Sequence, residues 1–189
     1  MPRTTDIPDL YLLRHGETEW NAAGRMQGRL DSPLTEKGRA QAMRMAELIR
    51  DMPGQRFCSP QGRAVETARI VFGDDDFITD PRLAEIDIGQ FTGHLIADLR
   101  AVHPDIFADD RLGWYDRAPG GEHLAGLERR VAPFLASLQG PAIVVTHGIT
   151  LRMLRLLAMS RPSSRFEELP SEQGAVHVIR KGQHEIWRP

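Results

Sequence analysis

The chain has 189 residues, 41% hydrophobic and 26% charged, a balance that fits one folded domain whose core needs no covalent staples. Its 24 Lys and Arg nearly cancel 26 Asp and Glu, and a net charge of -2 excludes the global basic field that holds duplex nucleic acid. The single cysteine, Cys58, excludes an internal disulfide and reads as a small buried hydrophobe; with no apolar run able to span a bilayer and no leader pattern in residues 1–9, a cytoplasmic protein without a membrane partner is expected.

In chain order, residues 10–14 read as a buried strand and 21–33 as a loop rich in Gly, Arg and polar side chains. Thr35 is the expected N-cap of a helix over 36–50, which carries Met43, Ala46 and Ile49, or Ala42, Met45 and Ile49, at helical spacing before Met52-Pro53-Gly54 stops it. A short strand at 56–58 runs through Ser59-Pro60 into a helix over 62–72 that Gly73 closes. Residues 77–79 predict a third short strand and 96–102 a short helix. The segment 103–121 has no period and, holding Trp114, Tyr115 and Gly120-Gly121, reads as a lid or substrate rim. A helix is expected over 122–138, kinked or broken at Pro133. A strand at 142–146, a helix over 149–159 and a hairpin of 175–180 with 184–187, turning through Lys181-Gly182-Gln183, complete the chain. Strand alternating with helix predicts an α/β fold on a mainly parallel sheet.

Two His-Gly pairs end apolar strands, Arg14-His15-Gly16 after the first and His147-Gly148 after the strand at 142–146. If those strands are neighbours in one parallel sheet, both imidazoles emerge at its carboxyl edge, where open α/β sheets place ligand sites. The planar fork of Arg14 matches two phosphate oxygens, and an unprotonated ring nitrogen of His15 can attack phosphorus if a carbonyl in the turn holds the other nitrogen's proton. A lone His-Gly pair recurs by chance as a surface or capping histidine, and Arg14 beside it shifts the balance toward an anion site. Arg63 opens the helix at 62, where free N–H groups and the dipole attract anions; taken alone, it reads as a solvated i, i+3 pair with Glu66. Glu85 is the first choice to protonate a leaving alkoxide, with Asp87 the alternative, and a carboxylate bonded to loop amides fits the local sequence equally. His147 is expected to donate to the transferring phosphoryl group, against a helix-capping role ahead of Ile149.

These residues fall into a longer series. Arg14, His15, Gly16, Glu17, Thr18 and Asn21 are followed by Arg25, Gln27 and Gly28, then by Asp31, Leu34, Thr35 and Gly38. Ser59 to Ala68 reads Ser-x-x-x-Arg-Ala-x-Glu-Thr-Ala, and a looser Glu-x-x-x-Gly-x-x-x-Gly runs from Glu85 to Gly93. Pro119-Gly120-Gly121-Glu122 and Thr146-His147-Gly148 come next. Over most of its length the chain resembles the histidine phosphatase superfamily, also called the phosphoglycerate mutase-like family. The resemblance implies a three-layer α/β/α sandwich on a mixed, mostly parallel sheet, in a single domain over 1–189. It implies His15 as the phosphorylated nucleophile, Arg14, Arg63 and His147 as the phosphate pocket, and Glu85 as the proton donor. Asn21 and Gln27 would touch phosphate or substrate, with Arg25 ranked behind them.

Departures from the family pattern bear on the reaction. Mutases of this family carry a tyrosine shortly after the acid and a lysine beyond the next glycine, where this chain has Ile88 and Ile96. They also hold paired arginines in an insertion before Pro-Gly-Gly, where this chain offers only the separated Arg111 and Arg117. Loss of a second basic clamp favours water as acceptor, hence a histidine acid phosphatase-type hydrolase acting on a small-molecule phosphomonoester without metal or cofactor. His123, in place of the usual serine after Gly-Gly-Glu, and Gln173, near a frequent asparagine, bear on selectivity. Phosphoglycerate mutase-type transfer and phospholigand binding without turnover are the alternatives. A zinc deaminase matches only His15-Gly16-Glu17, since its second half, Pro-Cys-x-x-Cys, needs two cysteines.

Overall fold

The computed structural model describes residues 7–108 and 112–189. Six strands, β1 (Leu10–Arg14), β2 (Gln55–Cys58), β3 (Ile78–Thr79), β4 (Ala142–Thr146), β5 (Val176–Arg180) and β6 (Gln183–Trp187), form one sheet in the order β3-β2-β4-β1-β5-β6. β1, β2, β3 and β4 run parallel, while β5 and β6 add an antiparallel edge, so the sheet is mixed and mostly parallel. The helices are α1 (Glu19–Ala22), α2 (Glu36–Ile49), α3 (Gly62–Phe72), α4 (Ile96–Val102), α5 (His123–Ser137) and α6 (Gly148–Ala158).

Because strand side chains alternate between faces, the central strands divide the core in two. Leu10, Leu12, Ala142 and Val144 pack with Leu127, Val131 and Phe134 of α5 and Leu151 and Leu154 of α6. Tyr11, Leu13, Ile143 and Val145 pack with Ala42 and Met45 of α2 and Ala64 and Ala68 of α3. The three layers are therefore helix, sheet and helix, as the resemblance implied.

Most element boundaries fall within a residue of expectation, and the exceptions have physical reasons. Thr35 caps α2 by accepting from the Gly38 N–H at 3.0 Å, and the buried stripe is Ala42, Met45 and Ile49. Met43 is 56% exposed, which rules out the other spacing. The expected loop over 21–33 is entered through α1, where Thr18 and Asn21 cap each other reciprocally. α5 runs unbroken through Pro133; burial of Val131, Phe134 and Leu135 around it outweighs the lost backbone hydrogen bond. In the hairpin, Arg180 pairs with Gln183, so the turn is only Lys181-Gly182, both at positive φ (50° and 72°) as a two-residue I′ turn requires.

The segment read as a lid or rim is partly core. Phe107, Trp114 and Ala118 are buried with Phe91, and Arg111 lies outside the described residues. Among the described residues no helix is long and apolar enough to cross a membrane.

Candidate active site

Three strands end together. β1 and β4 are neighbours in register, Arg14 opposite Thr146, and the ladder continues one step as the His15 N–H donates to the Thr146 carbonyl at 2.9 Å. Beyond β2, the Ser59 N–H donates to the Val145 carbonyl at 2.9 Å. His15 and His147 thus leave adjacent parallel strands side by side, with ring centroids 5.1 Å apart.

The turn after β1 fixes His15. Its Nδ1 donates to the Gly16 carbonyl at 2.8 Å, which leaves Nε2 unprotonated and accepting from Arg63 Nε at 3.3 Å. Burial, then the charges of Arg63 and Arg14, hold the ring well below the ordinary imidazole range, so it stays neutral. Glycine is required here by close approach: a Cβ on Gly16 would lie 2.2 Å from the Gly38 carbonyl oxygen, and one on Gly38 would lie 2.0 Å from that of Glu17. His147 is fully buried, with Nε2 2.7 Å from Ser59 Oγ and Nδ1 without a hydrogen-bond partner. Burial, Arg63, His15 and Arg14 depress its basicity in the same way.

Arg63 is 2% exposed and does not pair with Glu66, which is matched to Arg39 instead. Its guanidinium donates to Leu30 O at 2.5 Å, Asp31 Oδ1 at 2.8 Å and Gly28 O at 3.0 Å. Asp31 also accepts from the N–H groups of Gly62 at 2.7 Å and Arg63 at 3.2 Å. The expectation of free N–H groups at the start of α3 is therefore corrected: Asp31 caps them, and α3 contributes to the site through the Arg63 side chain. Arg14 donates to Ser171 O at 2.9 Å, while its Nε is buried without a partner. The two preceding carbonyls, Leu169 and Pro170, accept from Arg152 and Arg155 of α6.

Glu85 caps α6. Its Oε2 accepts from the Ile149 N–H at 3.2 Å, and its Oε1 from the Thr150 N–H at 3.1 Å and the Thr150 hydroxyl at 3.0 Å. His147 occupies the N-cap position but makes no side-chain cap bond there. Asp87, the alternative acid, bonds to the Gly89 N–H at 2.8 Å and does not line the cavity. Two groups that sequence reasoning missed hold the Glu85 loop. Gln61 accepts from the Glu85 N–H at 2.6 Å while donating to Gly28 O at 3.0 Å. Arg130, paired with Glu122 at 2.7 Å, donates to the carbonyls of Arg82 at 2.7 Å and Ala84 at 2.9 Å. Asp31 was visible only as a motif position, and Gln61 carried no signal.

A cavity of about 240 Å³ lies against Arg14, His15, Arg63 and Glu85. Its lining includes Arg14, His15, Asn21, Gln27, Arg63 and Glu85 together with Trp20, Met26, Ile88, Ile96 and Tyr115, whereas His147 lies behind it. Asn21 Oδ1 accepts from Gln173 Nε2 at 3.2 Å, and the same amide holds the His15 carbonyl at 3.1 Å. Gln27 is buried with its Oε1 unpartnered. Arg25 donates to Gly93 O at 2.5 Å and lies 5.5 Å from the centroid of Trp20. Burial pushes the Cys58 thiol up to about 12, as expected of an inert core residue.

Comparison with known proteins agrees with this geometry. A family model described as histidine phosphatase superfamily (branch 1) matches residues 10–187. A relative from Enterobacter sp. named "Probable phosphoglycerate mutase GpmB" is 38% identical over 171 residues, covering 82% of this chain and 76% of its own. The crystal structure of the alpha-ribazole phosphatase from Shigella flexneri superposes with a TM-score of 0.81 at 26% identity, covering 96% of each chain. That of a mycobacterial glucosyl-3-phosphoglycerate phosphatase gives 0.81 at 27% identity, covering 96% of this chain and 98% of the other.

Proposed function

The chain belongs to the histidine phosphatase superfamily, and on that premise we propose that it is a metal-independent phosphomonoesterase working through a phosphohistidine. One observation carries the reading: His15 presents an unprotonated Nε2 beside the Arg63 guanidinium, with Nδ1 tied to the Gly16 carbonyl. A phosphate dianion between Arg14 and Arg63 places phosphorus at that nitrogen. Nε2 attacks, the bond from phosphorus to the ester oxygen breaks, and Glu85 in its protonated form delivers the proton to the departing alkoxide. If the Ser59 hydroxyl donates to His147 Nε2, His147 Nδ1 carries a proton and donates it as a hydrogen bond to a phosphoryl oxygen. Water then attacks the phosphohistidine, Glu85 accepts its proton, and inorganic phosphate leaves. Asn21 and Gln27 bind phosphate or substrate from the cavity wall.

Hydrolysis is favoured over transfer between phosphoglycerates because Ile88 and Ile96 stand at the cavity wall where the family's mutases have tyrosine and lysine. Brief incubation with a ³²P-labelled phosphomonoester should leave base-stable, acid-labile label on the wild type and none on His15→Ala. Equal turnover by the two proteins removes His15 as nucleophile. Interconversion of phosphoglycerates faster than phosphate release makes the protein a mutase, and activity lost to chelator and restored by zinc ends the metal-free mechanism.

A further inference from the structure

The cavity lining carries two chemistries. Arg14, His15, Arg63 and Glu85 are polar groups able to meet a phosphate, while Trp20, Met26, Ile88, Ile96 and the Tyr115 ring supply apolar surface. Arg25 also lines the cavity, its guanidinium donating to Gly93 O and lying over the Trp20 face. Tyr115 is neutral, since burial raises its phenol above the usual range, and its ring stacks on Trp114 at a centroid distance of 3.7 Å.

A backbone ladder holds Met26 and Ile96 in place. Residues 24–26 are laddered against 93–96: Arg25 bridges Leu95, Met26 N–H donates to His94 O at 2.9 Å, Gly93 N–H to Met26 O at 2.8 Å, and Ile96 N–H to Gly24 O at 3.0 Å. A rigid apolar wall rewards a ligand that buries apolar surface on it and penalises one that carries an ion there without a partner.

We propose that the substrate's alcohol half is uncharged and lays an apolar, preferably aromatic, face against Trp20, Met26, Ile88, Ile96 and Tyr115. This rests on the phosphomonoesterase reading and adds a substrate class to it. A carboxylate or second phosphate on the alcohol, as in a phosphoglycerate or bisphosphate, would be stripped of water against these apolar side chains.

The test compares kcat/KM for 2-phenylethyl phosphate, glycerol 1-phosphate and 3-phosphoglycerate, alkyl esters whose bonds differ little in intrinsic reactivity. The phenyl ester should lead 3-phosphoglycerate by roughly 10- to 100-fold, the scale of burying one aromatic face. Ile96→Lys should cut that ratio about tenfold while His15 still takes label, whereas Ile96→Leu should preserve it. A wild-type ratio of one or below overturns the proposal and leaves the hydrolase reading standing. Calorimetry with two esters' non-hydrolysable counterparts, 3-phenylpropylphosphonate and 2-hydroxy-4-phosphonobutanoate, reads the same preference without turnover. Tighter binding of the phenyl compound upholds the substrate class even if the hydrolase assay fails, and tighter binding of the carboxylate refutes it.

Discussion

Asp31 joins two functions that substitution can separate. It pairs with the buried Arg63 guanidinium at 2.8 Å and accepts from the first two N–H groups of α3. Asp31→Asn keeps one acceptor for the helix cap and removes the charge; Asp31→Ala removes cap and charge together. A lost cap costs about 1 kcal/mol. The ion pair joins a guanidinium 1% exposed to a carboxylate 40% exposed, so its loss falls between the exposed and buried limits, at about 2 kcal/mol. The expected destabilisation is about 2 kcal/mol for Asn and about 3 for Ala, or roughly 4–8 °C and 6–12 °C in Tm at this chain length. Both variants should lose about tenfold in kcat/KM, because Arg63 keeps only carbonyl partners to hold its angle to His15. Thermal unfolding followed by circular dichroism, with steady-state kinetics on the same preparations, measures both effects. An Ala variant melting within about 1 °C of wild type would refute the reasoning, and identical melting of Asn and Ala would remove the cap from it.

Glu85→Gln should slow cleavage of an alkyl phosphate by about 100-fold and of a good aryl leaving group by less than about tenfold; equal losses would show that Glu85 is not the acid. Gly38→Ala, ordinarily stabilising within a helix, should here cost about 2–3 kcal/mol in chemical denaturation, because the new methyl meets the Glu17 carbonyl oxygen; a neutral effect would show that this approach is loose. His177 is fully buried, and burial, then Arg155 and His184, lower its pKa to about 3. Its native value lies below its unfolded one, so the stability it contributes is complete above about pH 6.5 and is lost as pH falls toward 3, with a slope of up to about 1.4 kcal/mol per pH unit. In His177→Asn the acid limb of Tm against pH should be correspondingly shallower, and an unchanged limb would locate the proton uptake elsewhere.

What the sequence revealed followed from periodicity and strand ends. Apolar runs closing on His15 and His147 made strand adjacency the condition for a shared site, and the register of Arg14 with Thr146 meets it. Thr35, Gly73 and the helical spacing of Ala42, Met45 and Ile49 carried their own local chemistry and were legible for that reason. Contacts made over long separations in the chain were not. The choice of Asp31 over Glu66 as partner of Arg63 depends on a loop 32 residues away, and no local pattern encodes it. Glu85 and Asp87 were alike locally because both sit among loop amides; the difference, that Glu85 meets the start of α6 and lines the cavity while Asp87 does not, is tertiary. Pro133 misled because its penalty is local while the packing that offsets it is tertiary.

The central place of β1 also sets an order of events during synthesis. It is synthesised well before its partners β4 and β5, so Leu13 waits for Val145 on one side and Val176 on the other. Until those late segments emerge, Arg14 lacks its Ser171 carbonyl and His15 its ladder to Thr146. A chain cut short before β5 therefore carries the sequence around His15 without the contacts that give it its geometry.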